Sequence, residues 1–361
     1  MDAWPSFNKQ DADTRLARGK QVADFLSGAW RVSTGSPFDR VPEEISDLLV
    51  RSGAGGLAWC RVRPSGLRSH SAQKLKRAYR VHSLESALHE RDLKQIIPRL
   101  RDCGVEPIVV KGWAIARLYP ESGMRPYSDL DFCVLPSTYL RAKSVLMMPE
   151  NRVFNVDLHQ GFGESEQSRV DEIFARAQLA RLGNLDVRIL CAEDHLRFIC
   201  LHLLRHGAVK PVWLCDVGVL MEAHSEDFNW DLCLSGSKNQ TDWVACVIGL
   251  AHHLLGVGVE GTPVAERARN LPSWLVPAVL RQWGIPYSFP GQVAVYLRNL
   301  HLWRALPGEL LRHWPNPIEA TATVGGRFNG VPRLPYQIGH VLSRTASLFS
   351  QLPAAARRGA H

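Results

Sequence analysis

From Ser128 to Val134 the chain reads Ser-Asp-Leu-Asp-Phe-Cys-Val, and the two carboxylates in this run constrain the fold more than any other feature. Strand side chains alternate between faces, so Asp129 and Asp131 leave one side while Leu130, Phe132 and Val134 leave the other. One face is then core, and the other carries two anions side by side. Adjacent carboxylates repel unless a cation lies between them, which points to a divalent metal with oxygen ligands.

The flanking sequence supplies matching parts. Ile108-Val109-Val110 reads as a strand, Gly112 turns the backbone into a short helical segment from Trp113 to Leu118, and Pro120, Gly123 and Pro126 mark a polar loop. Downstream, Arg152 to His159 alternates again, with Phe154, Val156 and Leu158 on one side and Asn155, Asp157 and His159 on the other. Only 25 residues separate Asp131 from Asp157, enough for one helix and one turn, so the two strands belong to one compact sheet. Asp157 would then complete a three-carboxylate cluster. Three carboxylates and a glycine turn at a helix start are the parts of metal-assisted nucleotidyl transfer. Backbone N–H groups hold phosphates, and two Mg²⁺ ions activate the attacking oxygen and stabilise the leaving pyrophosphate.

These segments resemble the DNA polymerase β-like nucleotidyltransferase superfamily, marked by a glycine turn, a strand with Asp-x-Asp and a third Asp on a later strand. More closely, the chain resembles a bacterial nucleotidyltransferase family often encoded beside lasso-peptide and related peptide-tailoring enzymes. The resemblance is carried by Lys111-Gly112, Tyr119-Pro120, RPYSDLDFCV at Arg125 to Val134 and VDLH at Val156 to His159. It continues through EDHLRFICLHLLRHG at Glu193 to Gly207, Trp213-x-x-Asp216 and WPNPIEAT at Trp314 to Thr321, and so covers most of the chain. Two features depart from the superfamily and are shared with the closer family: Lys-Gly replaces Gly-Ser at the phosphate turn, and the gap from Gly112 to Asp129 is longer.

The expected site follows. Asp129, Asp131 and Asp157 are the catalytic, metal-holding residues, and Lys111, Gly112, Arg125 and Ser128 are the nucleotide-binding set. Arg125 has a competing reading as the residue that closes its loop onto Asp129, and Lys111 as a solvated lysine at a strand end. His159, on the face of Asp157, either orients that carboxylate or meets the acceptor. His202 and His206 lie one helical turn apart with Asp216 following, which superficially resembles a zinc set. They lack the acid of an HExxH motif, so a polar network lining the acceptor cleft is the preferred reading. The eleven tryptophans are spread through helical stretches and argue for core over a base-stacking platform.

The rest of the chain frames this centre as an α/β (α+β) protein: a small mixed-sheet nucleotidyltransferase core at 101–190, a helical N-terminal region at 1–100, and a helical C-terminal domain at 191–361 with a basic end. Residues 1–35 read as loosely ordered. A short helix is expected around Ile45 to Leu49, and a long one over Ala72–Cys103 with Leu75, Tyr79, Leu84, Leu88, Leu93, Ile96, Ile97 and Leu100 as its core stripe. Ser137 is the expected N-cap of a helix running to about Met148, and residues 185–190 read as a further strand. Helices follow from Glu193 to about Val259, then short ones around 273–283, 292–305 and 336–351.

Composition narrows the setting. The first twenty residues contain no apolar signal core, and Trp243–Val259, the longest uncharged run, falls short of the ~20 apolar residues of a membrane span. Eight scattered cysteines without a C-x-x-C pair suit reduced thiols in the cytoplasm better than disulfides or zinc. From Thr262 onward there are eleven Arg, no Lys and three Glu, which accounts for the whole chain's net charge of +8. A solvated arginine surface explains that region better than a nucleic-acid partner, since no RNA-binding module accompanies it. The expected reaction is transfer of a nucleoside monophosphate from an NTP such as ATP to a small molecule, peptide or protein. The runner-up is a catalytically inactive accessory protein that keeps the fold as a scaffold in a biosynthetic complex.

Overall fold

The computed structural model describes residues 9–31, 38–162, 169–286 and 314–344. Four helices precede the first strand: α1 (Lys9–Leu26), α2 (Glu43–Arg51), α3 (Gly55–Val62) and α4 (His70–Asp102). Then come β1 (Ile108–Val109), α5 (Trp113–Ala116), β2 (Leu130–Val134), α6 (Tyr139–Leu146), β3 (Val156–Gln160), α7 (Val170–Ala175), β4 (Gln178–Leu182) and β5 (Leu185–Ile189). Further helices are α8 (Ala192–Arg205), α9 (Pro211–Ala223), α10 (Trp230–Cys233), α11 (Lys238–Leu255), α12 (Ala265–Arg269), α13 (Leu275–Trp283) and α14 (Pro317–Thr323).

The five strands form one mixed sheet in the order β3-β2-β1-β5-β4. β2 runs antiparallel to β1 and parallel to β3, β1 runs parallel to β5, and β4 closes the far edge as an antiparallel hairpin with β5. The mixed α/β class expected from the alternating segments is the one observed. Leu130, Phe132 and Val134 pack with Leu93, Ile97 and Leu100 of α4 on one side of the sheet. On the other side Cys133 packs with Phe162, Ile173 and Leu190, leaving the Asp131 end of that face for polar groups.

The largest apolar cluster lies away from the sheet. It joins α1, α2 and α3 to α8, α9, α11 and α13, so helices from both ends of the sequence share one core. α4 spans the two regions. Leu75 is buried in the helical core and Leu93 to Leu100 in the sheet core, whereas Leu84 and Leu88 are exposed, against expectation. The middle of the helix instead turns small and polar residues inward: the loop glycine Gly123 approaches Ser83 too closely for a Cβ to fit, and the Tyr127 ring lies tilted against His89, centroids 4.8 Å apart. A continuous leucine stripe predicts one core, and this helix crosses between two.

Other expectations are corrected as well. Residues 9–26 are helical instead of loosely ordered. Their apolar residues bunch in the last turns, at Val22, Ala23, Phe25 and Leu26, and the middle of the helix docks through Gly19, whose missing side chain lets α1 meet the α13 backbone at Leu280. A contact made by glycine leaves no hydrophobic period to read. Ser137 lies in a 3₁₀ turn (Pro136–Thr138) ahead of α6 and makes no capping bond. β4 was not anticipated, because its outward Leu179 breaks the apolar/polar alternation of an edge strand. The helices from Glu193 to Leu255 and at 275–283 fall where the sequence places them, and 334–344 is helical. The expected helix at 292–305, the end of the one at 336–351 and the terminal arginines lie outside the described residues. Seven of the eight cysteines are buried and all eight are free. Among the described residues no helix is long and apolar enough to cross a membrane.

Burial also sets an acid sensitivity. His195, in the first turn of α8, is 2% exposed, and burial pushes its pKa down to about 4 despite a hydrogen bond with the Val110 backbone. A depressed histidine favours the fold fully above its ordinary value near 6.5, and that contribution is lost as pH falls toward 4, where the unfolded chain takes up the proton first. The expected loss is about 3 kcal/mol. Denaturant unfolding at pH 7.5 and pH 5 should show falling stability, and His195→Leu should remove much of that slope.

Candidate active site

Parallel pairing of β2 and β3 sets Asp131 directly beside Asp157 and Cys133 beside His159. Alternation then puts Asp131, Asp157 and His159 on one face. One carboxylate oxygen from each aspartate and an imidazole nitrogen of His159 lie within 4.8 Å of one another. His159 Nε2 is 3.1 Å from Asp157 Oδ2 and 3.5 Å from Asp131 Oδ1. Lys111 brings its ammonium onto Asp131 Oδ1. Asp131 is buried, whereas Asp157 faces solvent at the sheet edge.

The electrostatics follow from this crowding. Burial and the neighbouring Asp131 charge push the Asp129 carboxyl above its usual range, against the pull of Lys111. Burial would raise Asp131 too, but His159 and Lys111 outweigh it and hold its pKa low. Contact with Asp131 raises His159. Asp131 Oδ1 and His159 Nε2 are both buried, and the Lys111 ammonium rests on the same Oδ1. Three ligand atoms converging within 4.8 Å, two of them buried, fit a divalent metal, which would take the place of the Lys111 ammonium on Oδ1.

The other expected residues are placed as follows. Asp129 is half-buried one position before β2, which begins at Leu130 and not at Ser128; it stands outside the three-residue group, though its charge is felt there. Ser128 is exposed, its hydroxyl 3.4 Å from Asp129 Oδ1 and its carbonyl accepting from Asn155 Nδ2 at 2.7 Å. Gly112 has φ 52° and ψ −116°, and a Cβ there would come within 3.2 Å of Tyr127 Cδ2. Only glycine adopts that backbone readily, so Gly112→Ala should cost about 1–3 kcal/mol in thermal or denaturant unfolding. It should also displace Lys111, which depends on this turn for its direction.

A cleft of about 450 Å³ opens beside the cluster. Lys111, Asp157 and His159 form its polar edge, His202 and His206 face them from the end of α8, and Phe162 and Phe198 line its apolar side. His202 and His206 pack against each other and against Trp213, with ring centroids 4.4 to 5.4 Å apart. Burial, reinforced by the Lys111 charge, lowers both histidines. They do not join a metal-ligand group among the described residues.

Asp216 does not line this cleft. It is fully buried and takes a bidentate ion pair from Arg125, with Nε 3.1 Å and Nη2 2.8 Å from its two oxygens, and a 2.8 Å hydrogen bond from the Tyr119 hydroxyl. Arg125 is itself 5% exposed and also donates to the Pro126 carbonyl. The Tyr119-Pro120, Arg125 and Trp213-x-x-Asp216 motifs thus meet as one latch between the loop before β2 and α9. Lys210 was missed in the sequence. It stands just before α9, 5.0 Å over the Trp213 ring, where burial and the charges of Arg125 and Lys111 lower its pKa while Asp129 raises it. A Lys-Pro step at a helix start was its sole signal, and that is too common to single out.

The chain matches the model of one protein family, described as uncharacterised nucleotidyltransferase, over residues 40–256. No curated protein and no solved structure matches it. The matched span runs from just before α2 to just beyond α11 and takes in the whole sheet, the Asp131–Asp157–His159 group and the Arg125–Asp216 latch. With more than half its length inside that match and a metal-competent acidic site at its centre, the chain belongs to this family of nucleotidyltransferases.

Proposed function

We propose that the protein moves a nucleoside monophosphate from an NTP to a hydroxyl or similar group on a small molecule, peptide or protein, releasing pyrophosphate. The observation that carries this reading is the in-register pair Asp131–Asp157 with Lys111 on one side and an open cleft on the other. Divalent ions would be held by Asp131, Asp157 and His159 and, at a second position, by Asp129 with Asp131. Bound there, they supply Lewis-acid stabilisation of the phosphate charge and lower the pKa of a coordinated oxygen.

The chain's own residues do the rest. Lys111, directed by the Gly112 turn, pairs with the triphosphate as a point charge, and Lys210, which feels the charges of Asp129 and Lys111, adds a second cation nearby. Asp157, solvent-facing at the mouth, accepts the proton of the acceptor hydroxyl. His202 and His206 form the wall that recognises the acceptor, next to Phe162 and Phe198. Arg125 acts through Asp216, anchoring the loop that leads into Asp129. The likeness of this chain to nucleotidyltransferases encoded beside peptide-tailoring enzymes makes a peptide acceptor the first to try.

The test is incubation with each α-labelled NTP, Mg²⁺ or Mn²⁺, and candidate peptides or lysate fractions, following label on the acceptor and release of pyrophosphate. Label transfer dependent on a divalent ion supports the proposal. Failure to bind any NTP in the presence of divalent ions would favour the scaffold reading.

A further inference from the structure

We propose that Asp131, Asp157 and His159 form a mixed oxygen–nitrogen site that takes a transition-series dication, Mn²⁺ or Co²⁺, in preference to Mg²⁺. Its role in catalysis rests on the nucleotidyl-transfer reading above, but its ligand chemistry rests on geometry alone. In the β2–β3 ladder His159 sits one pair beyond Asp157 on the same face, and its Nε2 leans back to 3.1 Å from Asp157 Oδ2 and 3.5 Å from Asp131 Oδ1. Nε2 and Oδ1 are both buried and Asp131 is 4% exposed; Lys111 holds Oδ1 with its ammonium, the contact a metal would displace. Asp129, which would have made an all-carboxylate set, does not join Asp131 and Asp157 in one group of ligand atoms within 4.8 Å.

Ligand type decides the metal. Mg²⁺ holds its waters, wants oxygen and near-ideal octahedral geometry, and is poorly served by an imidazole. Exchanging one carboxylate for imidazole shifts a site toward first-row transition ions, whose affinity for nitrogen donors rises along the series. The competing explanation is that His159 is an imidazolium that merely neutralises two carboxylates. The two explanations differ in sign: removing a ligand weakens metal binding, whereas removing a competing cation strengthens it.

The experiment uses the full chain, stripped with chelator and free of nucleotide. Mn²⁺ binding is followed by the electron paramagnetic resonance of free Mn²⁺, Mg²⁺ by competition, and Co²⁺ by its visible absorption. The expected result is one Mn²⁺ site per chain, about tenfold tighter than Mg²⁺. His159→Ala should weaken Mn²⁺ about tenfold, change Mg²⁺ far less and alter the Co²⁺ spectrum. His159→Gln, which keeps a polar side chain at a position 39% exposed, serves as the second variant. Equal Mn²⁺ and Mg²⁺ affinity in the wild type, or Mn²⁺ binding undiminished or tighter in both variants, overturns the proposal. Label transfer from NTP that Mg²⁺ and Mn²⁺ support equally, unaffected by His159→Gln with either ion, would sink this site and leave the nucleotidyl-transfer reading standing. His159-dependent Mn²⁺ binding without NTP binding would do the reverse.

Discussion

Asp131→Asn should lower nucleotidyl transfer on the order of 10²–10³-fold while leaving the protein folded. Asp131 is the one carboxylate that touches every other part of the cluster: Lys111 and His159 both approach its Oδ1, and Asp157 pairs with it across the ladder. The amide has nearly the same shape, so β2 keeps its packing through Leu130, Phe132 and Val134. It takes the carboxylate away from the Lys111 ammonium and from His159, which hold the Asp131 pKa low, so the melting temperature should fall by a few degrees with the protein still folded. Label transfer and thermal denaturation on the same preparation make the check. Wild-type transfer by a folded Asp131→Asn protein would place the metal elsewhere.

The largest expected effect on stability comes from Asp216→Ala. A buried ion pair contributes little against an apolar substitute, but breaking one strands a charge without solvent, at a typical cost of about 3–5 kcal/mol. Arg125, 5% exposed, would be left with the Pro126 carbonyl as its remaining hydrogen-bond acceptor on this side, and the Tyr119 hydroxyl would lose its acceptor. A fall in melting temperature of roughly 10 °C is expected. The double variant Arg125→Met with Asp216→Leu should recover most of the loss, since two apolar groups need no partners. The same variant tests the phosphate role expected for Arg125. Recovered stability with unchanged NTP affinity makes Arg125 an anchor, and recovered stability with NTP affinity lost makes it a phosphate ligand.

The local parts of this protein were readable because short-range rules govern them. Alternation along Asp129–Val134 and Val156–His159 determined which side chains share a face, and the helical period after Glu193 located α8, α9 and α11. With a 25-residue gap, β2 and β3 could hardly avoid becoming neighbours, so Asp131 and Asp157 were legible together.

What the tertiary structure alone decided was partnership between distant segments. Nothing local distinguishes an Arg125 that grips a phosphate from one that grips Asp216 ninety-one positions away. Register, not composition, brought His159 into the candidate metal-ligand group and left Asp129 one step before the strand. α1 hid because it docks through Gly19 onto α13, and Leu84 and Leu88 misled because α4 serves two cores and buries small and polar residues between them. A side chain's period reports the surface it could bury; which surface arrives to cover it depends on chain that folds back from far away.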